Sequence, residues 1–154
     1  MTPLALDAKS QADTTKAEVL TEAIVSGVRA QKNAPYAVAN VGRKALQDFS
    51  GTGKELPFLL STTPGVLSWS GNGLGIGTSY LRIRGAGDSR INVTVDGVPL
   101  NSPEDQCVFW ANMNSYSALM ESVQIQRGVG SSTNGDGAFG GSLPLLTYTP
   151  FSYH

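Results

Sequence analysis

The chain has 154 residues, about one ordinary domain, which is long enough to bury most of the surface that its unfolded form exposes. Its 11 basic and 12 acidic residues leave a formal charge of -1, which excludes a chain-wide basic field for nucleic acid or an anionic membrane. One cysteine (Cys107) and one histidine (His154) exclude an internal disulfide and a Cys/His zinc site, and 18 glycines predict many turns.

The start of the chain shows no regular period. Residues 1–20 are polar, and we predict a disordered tail there. They lack the basic and apolar regions of a secretory signal, which fits either a cytosolic protein or the mature part of an exported one. Residues 21–30, TEAIVSGVRA, are a short β-prone run that suits either a strand or an extended docking peptide.

Residues 31–154 read as one domain of short elements. PYAVANV and VLSWS predict strands. Between them, RKALQDF predicts a short helix, and Leu56, Leu59 and Leu60 predict about two helical turns that end at Pro64-Gly65. GNGLGIG predicts a loop at 71–77.

The second half predicts the stronger strands. SYLRIRG (79–85) and RINVTVDG (90–97) alternate apolar and polar residues, and Asp96-Gly97 predicts a tight turn. NSYSALMESVQIQRG predicts a short helix followed by a strand with Val123 and Ile125 inward. In the last segment, GGSLPLLTYTPFSYH, Pro144 predicts an edge strand or an irregular run. Together these elements predict an α+β fold: a small mixed sheet of about four strands with short helices and long glycine-rich loops.

Enzyme motifs are weak in this sequence. GNGLGIG and GVGSSTNG lack a P-loop lysine, and neither follows a strand and opens a helix. The single histidine is the last residue, and the acids Asp88, Asp96, Glu104 and Asp105 stand beside loop signals. We therefore predict no enzyme, no catalytic residue, no metal site and no cofactor. A small nucleotide-binding enzyme remains the weakest alternative.

Four segments follow one another along the chain: ELPFLLSTTPGV, SYLRIRGAGDSRINVTVDGVPLN, VFWANM and ESVQIQRGVGSSTNGDGAFGGS. In this order and spacing they resemble the plug domain of TonB-dependent outer-membrane receptors, in the style of receptors from Bacteroidetes. The resemblance covers about residues 21–143. After Ser142 the chain departs from the family, which usually continues with an alternating strand. A fragment boundary, an altered end and a genuine short protein would each give this departure. The family's signal peptide and large barrel do not appear, so the chain looks like an isolated plug or a truncated receptor.

The resemblance implies a function in active import rather than catalysis. In this family the plug blocks the lumen of a transmembrane β-barrel in the outer membrane, facing the periplasm, and gates the passage of a siderophore, vitamin or other nutrient. The implied partners are the TonB C-terminal domain, the barrel of the same receptor and the nutrient, with no nucleic acid. Without a barrel we expect the chain to be soluble. The alternative is a stand-alone soluble ligand-binding module that uses the same loops.

The resemblance also assigns roles to residues. The TonB box would be the segment of Glu22, Ala23, Ile24, Val25, Ser26 and Gly27, which otherwise reads as a first structural strand. Substrate-loop candidates are Trp69, Asn72, Phe109 and Trp110, each of which alternatively packs against the barrel wall. Barrel-contact candidates are Arg84 and Arg127, each followed by glycine. They are otherwise ordinary surface arginines, or pair with Asp96 or Glu121.

Overall fold

A computed structural model of the protein describes residues 29–30, 34–129 and 137–148. The tail at 1–20 and the TonB-box segment at 22–27 lie outside the described residues. No helix in the described ranges is long and apolar enough to cross a membrane. The strands are β1 (Ala37–Gly42), β2 (Val66–Ser70), β3 (Ser79–Ile83), β4 (Ile91–Val95), β5 (Val98–Pro99), β6 (Met120–Arg127) and β7 (Gly141–Thr147), and the α-helices are α1 (Arg43–Ser50), α2 (Leu56–Leu60) and α3 (Tyr116–Leu119).

Two sheets organise these elements. The larger is a mixed five-stranded sheet in the order β1-β6-β7-β4-β5, in which only β4 and β7 run parallel. The smaller is the antiparallel ribbon of β2 and β3, with Trp69 opposite Tyr80. The α+β prediction is confirmed, although the main sheet has five strands rather than about four. The added strand is the short β5, which the Asp96-Gly97 turn folds back onto β4.

The five-stranded sheet has one apolar face and one polar face. Along β6, Val123 and Ile125 point into the apolar core, as predicted, while Gln124 and Gln126 point to the opposite side. Because the strands pair in register, the neighbouring strands also place apolar residues on the first face and polar residues on the second. Leu46 of α1, Leu60 of α2 and the inward residues of the ribbon complete the same core, so a single cluster holds both sheets and the helices together.

The ribbon matches its sequence pattern closely. Leu81 and Ile83 are buried in the core, whereas Tyr80 and Arg82 are exposed on the other face. A two-stranded ribbon is marginal by itself, so these two buried residues, together with Val66, anchor it to the rest of the domain.

The prediction for Pro144 is wrong. Strand β7 is central, between β6 and β4, although proline cannot donate to a ladder. The amide of Asp96 donates to the Leu145 carbonyl, so alternation turns the backbone of Pro144 toward β6. On that side β7 pairs with β6 at Gln126–Ser142 and at Val123–Leu145, but not at the two residues between them. Pro144 therefore lacks a pair on β6 but still pairs with Thr94 on β4, and the strand around it is buried on both faces.

Gly141 marks the closest approach of β7 to its surroundings. A Cβ at this position would collide with the backbone oxygen of Gln126 and lie 3.2 Å from Cδ1 of Ile83. Gly42 at the end of β1 has no atom within 4 Å of its equivalent position and a negative φ of -88°. Gly42 is therefore a control for Gly141: both are strand glycines, but only Gly141 lacks room for a methyl group.

We expect Gly141→Ala to lower the free energy of unfolding by about 2 kcal/mol or more, because a backbone atom must move to admit the methyl group. Gly42→Ala should change it by no more than about 0.5 kcal/mol. Urea unfolding monitored by circular dichroism measures both values. Equal effects of the two substitutions would contradict the close approach of β7 to β6 and β3.

Candidate functional site

Arg84 and Arg127 lie next to one another, although 43 positions separate them in sequence. Arg127 Nη1 donates to the Pro64 carbonyl over 2.7 Å, and the Arg84 amide donates to the carbonyl of the next residue, Gly65, over 2.8 Å. Nη1 of Arg84 stands 3.3 Å from the position that a Cβ on Gly128 would take. The turn at Pro64-Gly65 thus gathers both arginines into one cationic cluster, which we call the arginine pair.

The backbone of Arg84 is held in an unusual conformation. Its φ is +51° and that of Gly85 is +84°, the two left-handed residues that a type I′ hairpin turn requires. Reciprocal backbone hydrogen bonds between Ile83 and Ala86 close this turn. A left-handed conformation costs a non-glycine residue about 1 kcal/mol. This cost falls on Arg84, whose side chain reaches Gly128, the residue after Arg127.

The acids suggested as internal partners are engaged elsewhere. Glu121 pairs with Arg43 over 3.0 Å, and the Asp96 carboxylate accepts hydrogen bonds from Thr147. Within the described ranges, neither Arg84 nor Arg127 forms a salt bridge. The internal pairing with Asp96 or Glu121 is therefore wrong. The cluster presents two cationic side chains, one exposed and one half-buried, without a neutralising carboxylate in the described part of the chain.

The exposed face of the ribbon is an aromatic and cationic surface. The rings of Trp69 and Tyr80 stack with centroids 5.3 Å apart and planes 20° apart. The guanidinium carbon of Arg82 lies 5.4 Å from the centroid of the Trp69 ring. Trp69 is 38% exposed, so this predicted substrate-loop residue is accessible. Tyr80 and Arg82 were missed as its neighbours, although pairing VLSWS with SYLRI in a hairpin places them there.

Asn72 supports the loop that connects β2 and β3. Its Oδ1 accepts hydrogen bonds from the Ser70 hydroxyl and the Leu74 amide, and its Nδ2 donates to the Ile76 carbonyl over 2.6 Å. All the polar atoms of the side chain therefore bind the loop itself. Its geometry is that of a loop-forming asparagine.

Phe109 and Trp110 are adjacent at the start of the 3-10 turn Trp110–Met113, but they differ in burial. Phe109 is 63% exposed and remains available for contact, whereas Trp110 is 2% exposed and packs in the core. The prediction of Trp110 as a substrate-loop residue is corrected, because the 3-10 turn directs its indole inward. Trp110 instead fixes the loop from which Phe109 projects.

One carboxylate connects the ribbon to the five-stranded sheet. Asp88 accepts a hydrogen bond from the Leu81 amide of β3 over 2.9 Å, just before β4 begins. Burial raises the pKa of Asp88, while the hydrogen bond to Leu81 and the charge of Arg82 oppose that rise. This contact has the geometry of a structural bond between the two sheets.

The family model of the TonB-dependent receptor plug domain matches residues 30–142. The chain belongs to this family. Plug domains are parts of outer-membrane transport receptors, which are not enzymes. No curated protein sequence matches the chain.

Solved receptors share the fold of this plug domain. The ferric enterobactin receptor PfeA of Pseudomonas aeruginosa matches at a TM-score of 0.57 and 21% identity, over 76% of this chain and 18% of that one. The siderophore receptor PirA of Acinetobacter baumannii matches at 0.56 and 21%, over 73% and 17%. The ferric yersiniabactin uptake receptor FyuA of Yersinia pestis matches at 0.55 and 20%, over 83% and 20%. The plug domain thus spans about a fifth of the length of these receptors.

The two tryptophans of the chain provide a test of this arrangement. In Trp69→Phe the remaining emission comes from Trp110, and we expect it to be blue-shifted and shielded from acrylamide because the indole is buried. In Trp110→Phe the emission of Trp69 should be red-shifted and readily quenched. Equal quenching constants in the two variants would contradict the separation of an exposed ribbon face from a buried loop anchor.

Proposed function

We propose that this domain is the gate of a receptor that imports a nutrient of the siderophore class through a transmembrane β-barrel. In this proposal the domain occupies the barrel lumen of the same polypeptide and faces the periplasm. Membership in the plug family supports the gating role, and the fold shared with receptors for ferric enterobactin, other siderophores and ferric yersiniabactin supports the siderophore class.

The observation that carries the barrel contact is the arginine pair. Both arginines bind one turn, Arg127 through its guanidinium group and Arg84 through its backbone amide, and no acid in the described ranges neutralises their charges. Guanidinium groups bind carboxylates through bidentate hydrogen bonds, which are strong and reversible. We assign their partner as one or more carboxylates of the barrel wall. Such pairs would seat the domain and still permit its displacement.

The proposed substrate surface consists of the exposed ribbon face and the exposed Phe109. The stacked pair of Trp69 and Tyr80 offers flat apolar area, and Arg82 adds a cation beside it. This combination suits a ligand with aromatic groups and negative charge. A barrel around the domain would complete the pocket, so we expect weak binding by the isolated chain.

The proposed site for TonB is the segment Glu22 to Gly27, which would add as a strand to the sheet edge of the TonB C-terminal domain. Strand addition depends on backbone amides, so a proline inside the segment removes a necessary donor.

We expect Val25→Pro to weaken binding of the TonB C-terminal domain to the 154-residue chain by at least about tenfold. Val19→Pro, the same change ahead of the segment, should leave the affinity within about twofold. Isothermal titration calorimetry measures both constants. A loss of folding stability in Val25→Pro with unchanged affinity would instead identify the segment as a structural strand.

The arginine pair is tested by substitutions that separate stability from seating. We expect Arg84→Ala to change the free energy of unfolding of the isolated chain by less than about 0.5 kcal/mol, because the guanidinium group is exposed. Arg84→Gly should be neutral or stabilising by up to about 1 kcal/mol, since it also relieves the left-handed backbone. Arg127→Ala should cost about 1 kcal/mol through loss of the hydrogen bond to Pro64.

In the complete receptor all three substitutions should impair nutrient uptake, despite these different effects on stability. Uptake assays in cells that express equal amounts of each receptor measure this. Unfolding of the isolated chain by Arg84→Ala would mean that the arginine is an internal structural residue, and the assignment of a barrel partner would fail.

A further inference from the structure

Within the described residues, the side chain of Gln124 holds Ala30 to the sheet. The Gln124 carboxamide accepts a hydrogen bond from the Ala30 amide over 2.7 Å and donates one to the Ala30 carbonyl over 3.1 Å. A single planar group thus pairs with both backbone polar groups of one residue, as a neighbouring strand would. These two residues are 94 positions apart in sequence.

Neighbouring strands fix the orientation of this carboxamide. Nε2 of Gln124 also donates to Oδ1 of Asn40 on β1, and Oε1 accepts from Nε2 of Gln126 over 2.9 Å. Gln126 in turn accepts from the Ser142 hydroxyl on β7 over 3.0 Å. The chain of hydrogen bonds crosses three strands on the buried polar face of the sheet. Gln124 is therefore oriented before it meets Ala30, which limits the entropy lost in the contact.

A second contact holds the residue before Ala30. Nη1 of Arg29 donates to the Ser122 hydroxyl over 2.8 Å, two positions before Gln124 and on the same face of β6. Both contacts use side chains of β6, whereas β6 binds β1 and β7 through backbone ladders. The attachment of residues 29–30 is thus of a different kind from the attachments inside the sheet.

We propose that Gln124, assisted by Ser122, is a releasable clasp for the chain at Arg29 and Ala30. The clasp holds this point of the chain against β6, and it opens without breaking any backbone bond of the sheet. Its role rests on the proposed function, in which TonB pulls on the segment that ends at Gly27. Among the described residues, the clasp is then the contact nearest to the pulled segment, and its loss frees Arg29 and Ala30 while the five-stranded sheet stays folded.

Native-state amide exchange on the 154-residue chain tests the clasp without TonB or a barrel. We expect the Ala30 amide to exchange at least about tenfold more slowly than in an unfolded peptide. It should still exchange much faster than the Ile125 amide, which lies in the sheet. In Gln124→Ala the exchange of the Ala30 amide should become at least about tenfold faster. The sheet amides should keep the same ranking of exchange rates as in the wild type. Gln47→Ala, which removes an exposed glutamine of α1, is the matched control and should leave Ala30 unchanged.

Trypsin cleavage after Arg29, followed by mass spectrometry, is the second readout. Cleavage requires Arg29 to leave Ser122 and Ala30 to leave Gln124, so we expect it to be about tenfold faster in Gln124→Ala and two- to threefold faster in Ser122→Ala than in the wild type. If Gln124→Ala does not fold, the exchange rates of the wild type and the cleavage rate of Ser122→Ala test the clasp instead.

Three results would overturn the clasp: Ala30 exchange as fast as in an unfolded peptide, Ala30 exchange as slow as that of Ile125, or no change in Gln124→Ala. The second result would mean that the segment opens only with the sheet. Failure of TonB binding alone would refute the proposed function and leave the clasp intact, so the two failures are distinguishable.

Discussion

Strand β6 carries the constraint on which the rest of the domain depends, because Val123 to Gln126 are buried on both faces and alternate in chemistry. The valine and isoleucine face requires an apolar layer, which the helices and the ribbon supply. The glutamine face requires hydrogen-bond partners, because an unpaired amide in the interior costs more than a bond gains. A slip of one residue would exchange the two faces, so the register is strongly specified. This register also fixes where Arg127 leaves the sheet.

Two hairpin turns of the same kind serve different purposes. Asp96-Gly97 and Arg84-Gly85 both have two left-handed residues, with φ of +50° and +83° in the first and +51° and +84° in the second. Aspartate tolerates this conformation better than most residues because its side chain is short and polar, and the Asp96 carboxylate is also held by two hydrogen bonds from Thr147 on β7. Arginine has no such compensation. The strained arginine beside a second cation supports the proposed carboxylate partner in the barrel wall.

Local pattern was enough to predict most elements, since alternation in SYLRI and INVTV and the turn at Asp96-Gly97 depend only on near neighbours. Local pattern failed where contacts between distant residues determine the position or burial of a side chain. Pro144 lies in a central strand because β4, about 50 residues earlier, pairs with β7, and no local signal encodes that pairing. Trp110 and Phe109 are adjacent aromatic residues, and only the 3-10 turn decides which is buried. The hydrogen bonds between Gln124 and Ala30 were likewise invisible, because a glutamine on the polar side of a strand normally reads as solvent-exposed.

The proposed gating role requires a domain that remains folded while part of it moves, and the distribution of bonds in this domain meets that requirement. Backbone ladders on both sides of β6 distribute load over many hydrogen bonds, and the apolar core ties them to the ribbon. By contrast, side chains of β6 hold two other parts of the domain. Gln124 and Ser122 bind residues 29–30, and Arg127 binds the Pro64-Gly65 turn. A side-chain bond breaks by rotation about its own χ angles without displacing the strand that carries it. The type of bond therefore supports the proposed order of opening, in which the side-chain attachments of residues 29–30 and of the Pro64-Gly65 turn break before the sheet does.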